Sequence, residues 1–322
     1  TRSTARREVG RQHRSAIGDA MNWRDVDMEP TRMDYAAWSW MDRLARQSGN
    51  MEWAARVDRM ADLFAIYGFD PRSGLAYIGA QAQFDVVQLG PCGMQAYAVP
   101  NFKPAADFPL DRLWRHAPRQ MERMSRSAFL GLITRLETFD YNRYCYYGSD
   151  DRPGRHFMDF YPMHVAFALT GACLVHWWSV HLARTGDTKV MPWIEAMTAK
   201  WRAVQHPQTG LIPHWFGSDL PDDKEQPPRT FTNAMDINTA DVFLEAASVL
   251  RACSGARRAA DAVFDLGRRL PVCFARFGWN DTERYFPSWL RLADGAHDTS
   301  IIYYAFPSQQ QKVEAVRVDP RC

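Results

Sequence analysis

Apolar residues recur along this chain at helical spacing, in paired runs separated by a short glycine turn. Trp38, Met41 and Leu44 form one run, and Trp53, Val57, Met60, Phe64 and Tyr67 the next. The pair returns as Gly171, Val175, Trp178 and Leu182 with Trp193, Met197, Trp201 and Val204. It returns again as Val242, Ala246 and Val249 with Val263, Leu266, Leu270 and Cys273. Spacings of three and four place each run on one face, so each predicts an amphipathic helix with a single apolar stripe. Between the first and third pairs, Pro100, Pro104 and Pro109 leave room only for a short helix around Leu110 to His116. A clear helix follows, from about Pro118 to Glu137.

Two marker series punctuate these helices. Phe69-Asp70-Pro71-Arg72-Ser73-Gly74-Leu75 reappears as Phe139-Asp140-Tyr141-Asn142, as Gln205-His206-Pro207-Gln208-Thr209-Gly210-Leu211, and loosely as Trp279-Asn280-Asp281-Thr282. The intervals are 70, 66 and 74 residues (139−69, 205−139, 279−205). The turn glycines Gly49, Gly186 and Gly255 lie 137 and 69 apart (186−49, 255−186), two periods and one. The unit is therefore helix, Gly turn, helix, then a stop signal whose Pro and Gly cannot continue a helix. One such hairpin cannot bury its stripe alone, so stacked neighbours must complete a shared core.

The Gly turns are short, whereas the connections after the stop signals, about 78–109, 141–161, 212–237 and 282–298, are long. All four are expected to leave the array from the same end, where a rigid scaffold carries its working loops. One of them reads as a β-hairpin: Gln83 to Leu89, a turn at Gly90-Pro91-Cys92-Gly93, and Met94 to Val99. It is either a cover for helix ends or the wall of a substrate cleft.

Composition narrows the partners. The 322 residues are 46% hydrophobic, and 39 basic residues nearly balance 37 acidic ones, so the net field favours neither nucleic acid nor an anionic surface. The arginines at 2, 6, 7, 11 and 14 read as a solvated helix face in an N-terminal arm, residues 1–30. No apolar run approaches the ~20 residues that span a bilayer, so no membrane partner is expected. The first residue is Thr, which fits a chain that begins after a removed leader. The six cysteines, Cys92, Cys145, Cys173, Cys253, Cys273 and Cys322, show no C-x-x-C pair. Neither a metal nor another cofactor is expected, and phosphate-loop, dinucleotide and nucleophile-elbow motifs are absent.

The candidate chemistry lies on the long connections. Five of the nine residues from 139 to 147 are aromatic, a density that suits either a ring-lined cleft for a sugar or apolar ligand or a packed plug. Asp140 lies in this stretch, with Arg143 and Tyr147. Tyr161 and His164, three apart at the approach to the next helix, would share one face. After the third stop signal, His214 joins a titratable ring to the stacking ring of Trp215. Asn233 and Asp236 precede the following helix, where capping competes with a catalytic role. Carboxylates, tyrosines and histidines without a nucleophile motif fit general acid–base chemistry. Asp140, Asp236, Tyr161, His164 and His214 are the catalytic candidates. Arg143, Tyr147, Trp215 and Asn233 are the substrate-binding candidates.

Repeated hairpins with long loops at one end, and His206-Pro207-Gln208-Thr209-Gly210-Leu211 followed by His214-Trp215, resemble the six-hairpin, (α/α)6-toroid superfamily. The run is similar to a Pro-x-Thr-Gly-Leu segment of unsaturated glucuronyl and rhamnogalacturonyl hydrolases, and toroid polysaccharide lyases and sugar epimerases use similar turns. The resemblance covers about residues 31 to 290. It implies an all-α, (α/α) toroid of helical hairpins with a small β-hairpin insertion, occupying residues 31–322. It further implies a carbohydrate-active hydrolase or lyase that cleaves an acidic, uronate-containing oligo- or polysaccharide. Six hairpins of this period would need roughly 410 residues, so either the ends supply degenerate hairpins or a missing segment completes the ring, and an open array is expected to recruit a partner or a second copy. The stretch Tyr161-Pro162-Met163-His164-Val165 also distantly resembles the inner-helix histidine of linalool dehydratase-isomerase toroids, which implies a terpenoid pocket instead. A non-catalytic helical-repeat interaction protein is the third class.

Overall fold

The computed structural model describes residues 35–67, 69, 74, 82–85, 90–93, 96–97, 110–141, 145–146, 166–216, 231–233, 237–277 and 289–296. Among them are eight α-helices and ten strands of two to four residues. The helices are α1 (Tyr35–Ser48), α2 (Met51–Tyr67), α3 (Leu110–His116), α4 (Pro118–Leu132), α5 (Ala168–Thr185), α6 (Met191–Val204), α7 (Ile237–Arg251) and α8 (Arg257–Phe277). The strands are β1 (Ala82–Asp85), β2 (Gly90–Gly93), β3 (Ala96–Tyr97), β4 (Ile133–Arg135), β5 (Asp140–Tyr141), β6 (Cys145–Tyr146), β7 (Ala166–Phe167), β8 (Trp215–Phe216), β9 (Phe231–Asn233) and β10 (Trp289–Arg291). The fold class is the expected one, helical hairpins with a small β insertion. The described elements fall into two compact units: α1 to α4 with β1, β2, β3 and β6, and α5 to α8 with the remaining strands.

In the first unit the apolar stripe of α2 is buried at Val57, Ala61 and Phe64, with Leu113 of α3 and Met121, Met124 and Ala128 of α4 equally enclosed. Charge pins the same helices. The buried Arg112 guanidinium donates to Asp42 of α1 at 2.6 Å and to Asp58 of α2. His116, one turn on, reaches Asp58 at 3.0 Å and Asp62 at 2.7 Å. Arg46 adds a 2.5 Å pair to Asp42.

The strands correct two sequence readings. β1 pairs antiparallel with β2 in the register Ala82↔Gly93 and Asp85↔Gly90, so Gly90 to Gly93 is strand and not turn. Pro91 is tolerated there because the ribbon has only two strands, and a proline that cannot donate costs little at an edge. β3, expected to return along Gln83 to Leu89, pairs instead with β6. The helix expected to run to Glu137 ends at Leu132, because Ile133 to Arg135 turns extended and pairs with Asp140 and Tyr141.

In the second unit α5 is buried nearly all round, from Ala168 through Leu182, as suits a helix covered by both α6 and α7. The stripes of α6 (Ile194, Met197, Trp201) and α8 (Val263, Leu266, Leu270) are fully enclosed. The turn glycines Gly49, Gly186 and Gly255 are all left-handed. β7 leads into α5 and β8 follows α6, while β9 leads into α7 and β10 follows α8. The pairings β7–β8 and β9–β10 therefore sit at hairpin ends away from Gly186 and Gly255. The Thr209 hydroxyl donates to the Leu292 carbonyl at 2.6 Å, placing these two ribbons at one end.

The stop signal proves to be a four-residue hairpin loop whose last residue is left-handed. In 206–211 the His206 N–H donates to the Leu211 carbonyl and the Gly210 N–H to the His206 carbonyl, both at 2.8 Å, with Gly210 at φ 71°. Arg291 to Ala296 repeats these two bonds at 2.9 and 2.8 Å, with Gly295 at φ 71°. Residues 291–296 thus form a further loop of the same kind, and the loose match at Trp279 to Thr282 lies outside the described residues. In 135–140 the same position holds Phe139 at φ 54°, so Phe139 stands where the glycine does and not where Phe69 does. A non-glycine residue there costs about 1–2 kcal/mol. Burying the Phe139 ring, edge-on to Trp178 at 6.3 Å, offsets that cost.

Gly210 has a second constraint, since a Cβ there would stand 2.6 Å from Cys273 Sγ. Gly210→Ala is expected to destabilise the protein by about 2–4 kcal/mol through backbone strain and overpacking together. Urea unfolding measures it, and a loss under about 1 kcal/mol would show that the loop relaxes without cost.

The loop at 291–296 is acid-sensitive. Asp294 accepts from the Arg291 guanidinium at 2.9 and 2.6 Å and from the Ala296 N–H at 2.9 Å. Arg291 first, and that N–H second, hold its carboxyl down at about 2. The folded-state value lies below the unfolded one, so the loop's stabilisation is complete above about pH 4 and is lost as pH falls towards 2. Protection of the Ala296 amide relative to its intrinsic exchange rate should fall over that window in the wild type, and Asp294→Asn should abolish that change in protection.

Candidate active site at the ribbon end of the second unit

The second unit gathers its polar chemistry where the ribbons meet the helix ends. β7 and β8 pair as Ala166↔Phe216 and Phe167↔Trp215. The His214 carbonyl accepts the Ala168 N–H at 3.1 Å, so the residue before β8 satisfies one of the orphan donors that open α5. The half-buried His214 ring stands edge-on to Phe167, with centroids 5.4 Å apart.

Beneath this lies a buried polar knot. The Tyr141 hydroxyl donates to the Phe167 carbonyl at 2.5 Å and accepts Trp201 Nε1–H at 3.1 Å. Burial pushes the phenol's pKa well above its ordinary value, so it stays protonated and remains a donor. The knot closes over Gly171, where a Cβ would stand 2.3 Å from Trp201 Nε1 and 2.4 Å from the Tyr141 oxygen. Only glycine admits both rings to the face of α5.

Asp140 is fully buried and ion-paired with Lys200 of α6. The Lys200 ammonium also donates to the Thr138 carbonyl at 3.4 Å and lies 5.0 Å from the Phe216 ring centroid. Burial lowers the lysine's pKa, and the Asp140 hydrogen bond and charge oppose that shift.

The ribbon end thus brings together two of the nine residues singled out in the sequence, His214 and Asp140, in different settings. His214 is half-buried on the β8 approach; Asp140 lies wholly inside. Trp215 and Asn233 lie on β8 and β9. Arg143, Tyr147, Tyr161, His164 and Asp236 lie outside the described residues. Lys200, Tyr141 and Trp201 were not anticipated in polar roles. A lysine one residue before a stripe tryptophan was the available signal for the first.

No family model matches the chain, and no curated protein does. Among solved structures, the fold is similar to the crystal structure of a sugar epimerase from a ruminal bacterium, with a TM-score of 0.56. The two are 11% identical, and the likeness covers 80% of this chain and 62% of that one. The chain therefore spans less than two thirds of that protein's length. At this identity the likeness is one of fold. Among the described residues no helix is long and apolar enough to cross a membrane.

Tyr141→Phe would leave the Trp201 N–H without its acceptor and the Phe167 carbonyl without its donor. It is expected to cost about 1–3 kcal/mol in urea unfolding. A change below about 0.5 kcal/mol would mean that the knot contributes packing alone.

Proposed function

We propose that the chain is a carbohydrate-processing enzyme working by general acid–base proton transfer, with His214 as the proton-transferring group. The fold likeness to a sugar epimerase supports the substrate class. The placement of His214 carries the chemistry: its backbone is fixed at the start of α5, its ring is half-buried beside Phe167, and β8 with Trp215 follows at once. A base held in this way loses little freedom when it takes a proton.

The finer reading is an acidic, uronate-containing glycan. Hydrolysis would need a protonated carboxylic acid beside the leaving oxygen. Asp140, enclosed and paired with Lys200, is poorly placed for that task, which leaves Asp236 for a hydrolytic route. Abstraction of a carbon-bound proton next to a carboxyl or carbonyl asks only for a base and for donors that stabilise the developing oxyanion. His214 supplies the base in this reading, with Tyr161 or His164 as the returning acid. Arg143 and Asn233 neutralise the charge, and Tyr147 and Trp215 stack on the sugar. The same first step leads to elimination if a leaving group departs, and to epimerisation if the proton returns to the opposite face.

A panel of uronate-containing and neutral oligosaccharides incubated in D2O separates the routes. An unsaturated uronide chromophore identifies elimination, and a new epimer carrying solvent deuterium identifies epimerisation. A new reducing end with neither identifies hydrolysis, and no change across the panel refutes the sugar assignment. On the active substrate, His214→Ala is expected to lower turnover by roughly 10²-fold or more with little change in melting temperature. Lost stability with retained turnover would remove His214 from the chemistry.

A further inference from the structure

We infer that Lys200 is a positioning residue for His214: its ammonium, held between the Asp140 carboxylate, the Thr138 carbonyl and the Phe216 ring, fixes the strand that follows the histidine directly. The inference rests on the reading of His214 as the proton-transferring group, and it adds a residue that the sequence pattern did not single out.

The lysine itself is enclosed, with its side chain 4% exposed and Asp140 at 0%, so it does not meet substrate. Its contacts span three elements. Asp140 and Thr138 belong to the β4–β5 hairpin, Lys200 to α6, and Phe216 to β8. Phe216 lies two residues beyond His214, with only Trp215 between them, and β8 is bonded to β7 on its other side. His214 is thus held from two directions, by the Ala168 N–H on its own carbonyl and by the cation on the ring beyond it.

Stability alone does not explain such a pair. A buried ion pair is commonly no more stabilising than apolar residues of the same volume, whereas it does specify one arrangement among several. Here the arrangement specified is the seat of β8, because a cation over an aromatic face is directional in a way that an apolar contact is not. The strut ends on the strand that His214 leads into.

The test uses the full chain with 13C-labelled histidine, so that the His214 ring is read by NMR independently of any substrate. Phe216→Leu removes the ring while leaving the Lys200–Asp140 pair intact. The double variant Asp140→Leu/Lys200→Met replaces the pair with apolar groups and leaves no lone buried charge. Both are expected to move the His214 ring resonances while the melting transition stays cooperative. On the sugar that the wild type turns over, both should lower kcat about tenfold with KM changed less than about twofold. Lys200→Arg keeps a cation for both Asp140 and Phe216 and should restore the wild-type resonances. Unmoved resonances in both Phe216→Leu and the double variant would overturn the inference, as would moved resonances with unchanged kcat. If the double variant does not fold, Phe216→Leu decides alone. A wild type that turns over no sugar defeats the functional reading, and the ring resonances still report whether Lys200 positions His214.

Discussion

At Gly171 no side chain fits between α5 and the two rings that cross it, and much of the second unit's polar end hangs on that approach. Because Trp201 comes so close, its Nε1–H meets the Tyr141 hydroxyl in place of water. Because Tyr141 is thereby oriented, its own proton goes to the Phe167 carbonyl, at the junction between β7 and α5. The β4–β5 hairpin, helix α6 and the first turn of α5 are consequently tied at one point. A larger residue at 171 would displace two rings that are each fully buried and have no empty volume to enter.

Helix content was readable because apolar spacing near 3.6 survives local irregularity, and the described hairpins fall where the stripes of α2, α5, α6, α7 and α8 put them. The end of α4 was not readable. Nothing in Leu132-Ile133-Thr134-Arg135 breaks a helix, and the chain turns extended only because a strand from beyond the loop is there to pair with it. The third and second stop loops show the same limit from another side. Loop 206–211 advertises itself with Pro207 and Gly210, whereas 135–140 puts a phenylalanine in left-handed conformation and betrays nothing locally, since tertiary packing on Trp178 sustains it. Of the site, His214 was legible because it follows a stop signal directly. Lys200 was not, because a charged residue beside an apolar stripe ordinarily reaches for solvent, and only the fold reveals Asp140 waiting for it.

The two units bury charge differently. In the first, Arg112 serves Asp42 and Asp58 while His116 serves Asp58 and Asp62, so cations and carboxylates alternate in a chain reaching from the interior to the half-exposed edge at Asp62. Solvent screens its outer members and shares the work of neutralising them. In the second, Lys200 and Asp140 are paired and enclosed, and a carbonyl and an aromatic face also meet the ammonium. The first arrangement can lose an outer member and rehydrate locally, whereas breaking the second removes a partner from a charge that solvent does not reach.

The hydroxyl of Thr209 does double service, accepting the Leu211 N–H inside its own loop and donating to Leu292 in the next. Each loop closes a helical hairpin, so this proton joins the end of one repeat to the end of the following one, 83 positions along the chain. In repeat proteins such neighbour couplings decide whether repeats melt singly or together. A bond placed where two hairpins would otherwise fray independently raises the cost of opening either one first. It converts two local fluctuations into a single, rarer, concerted one, and β8 and β10, which flank these loops, inherit that quietness.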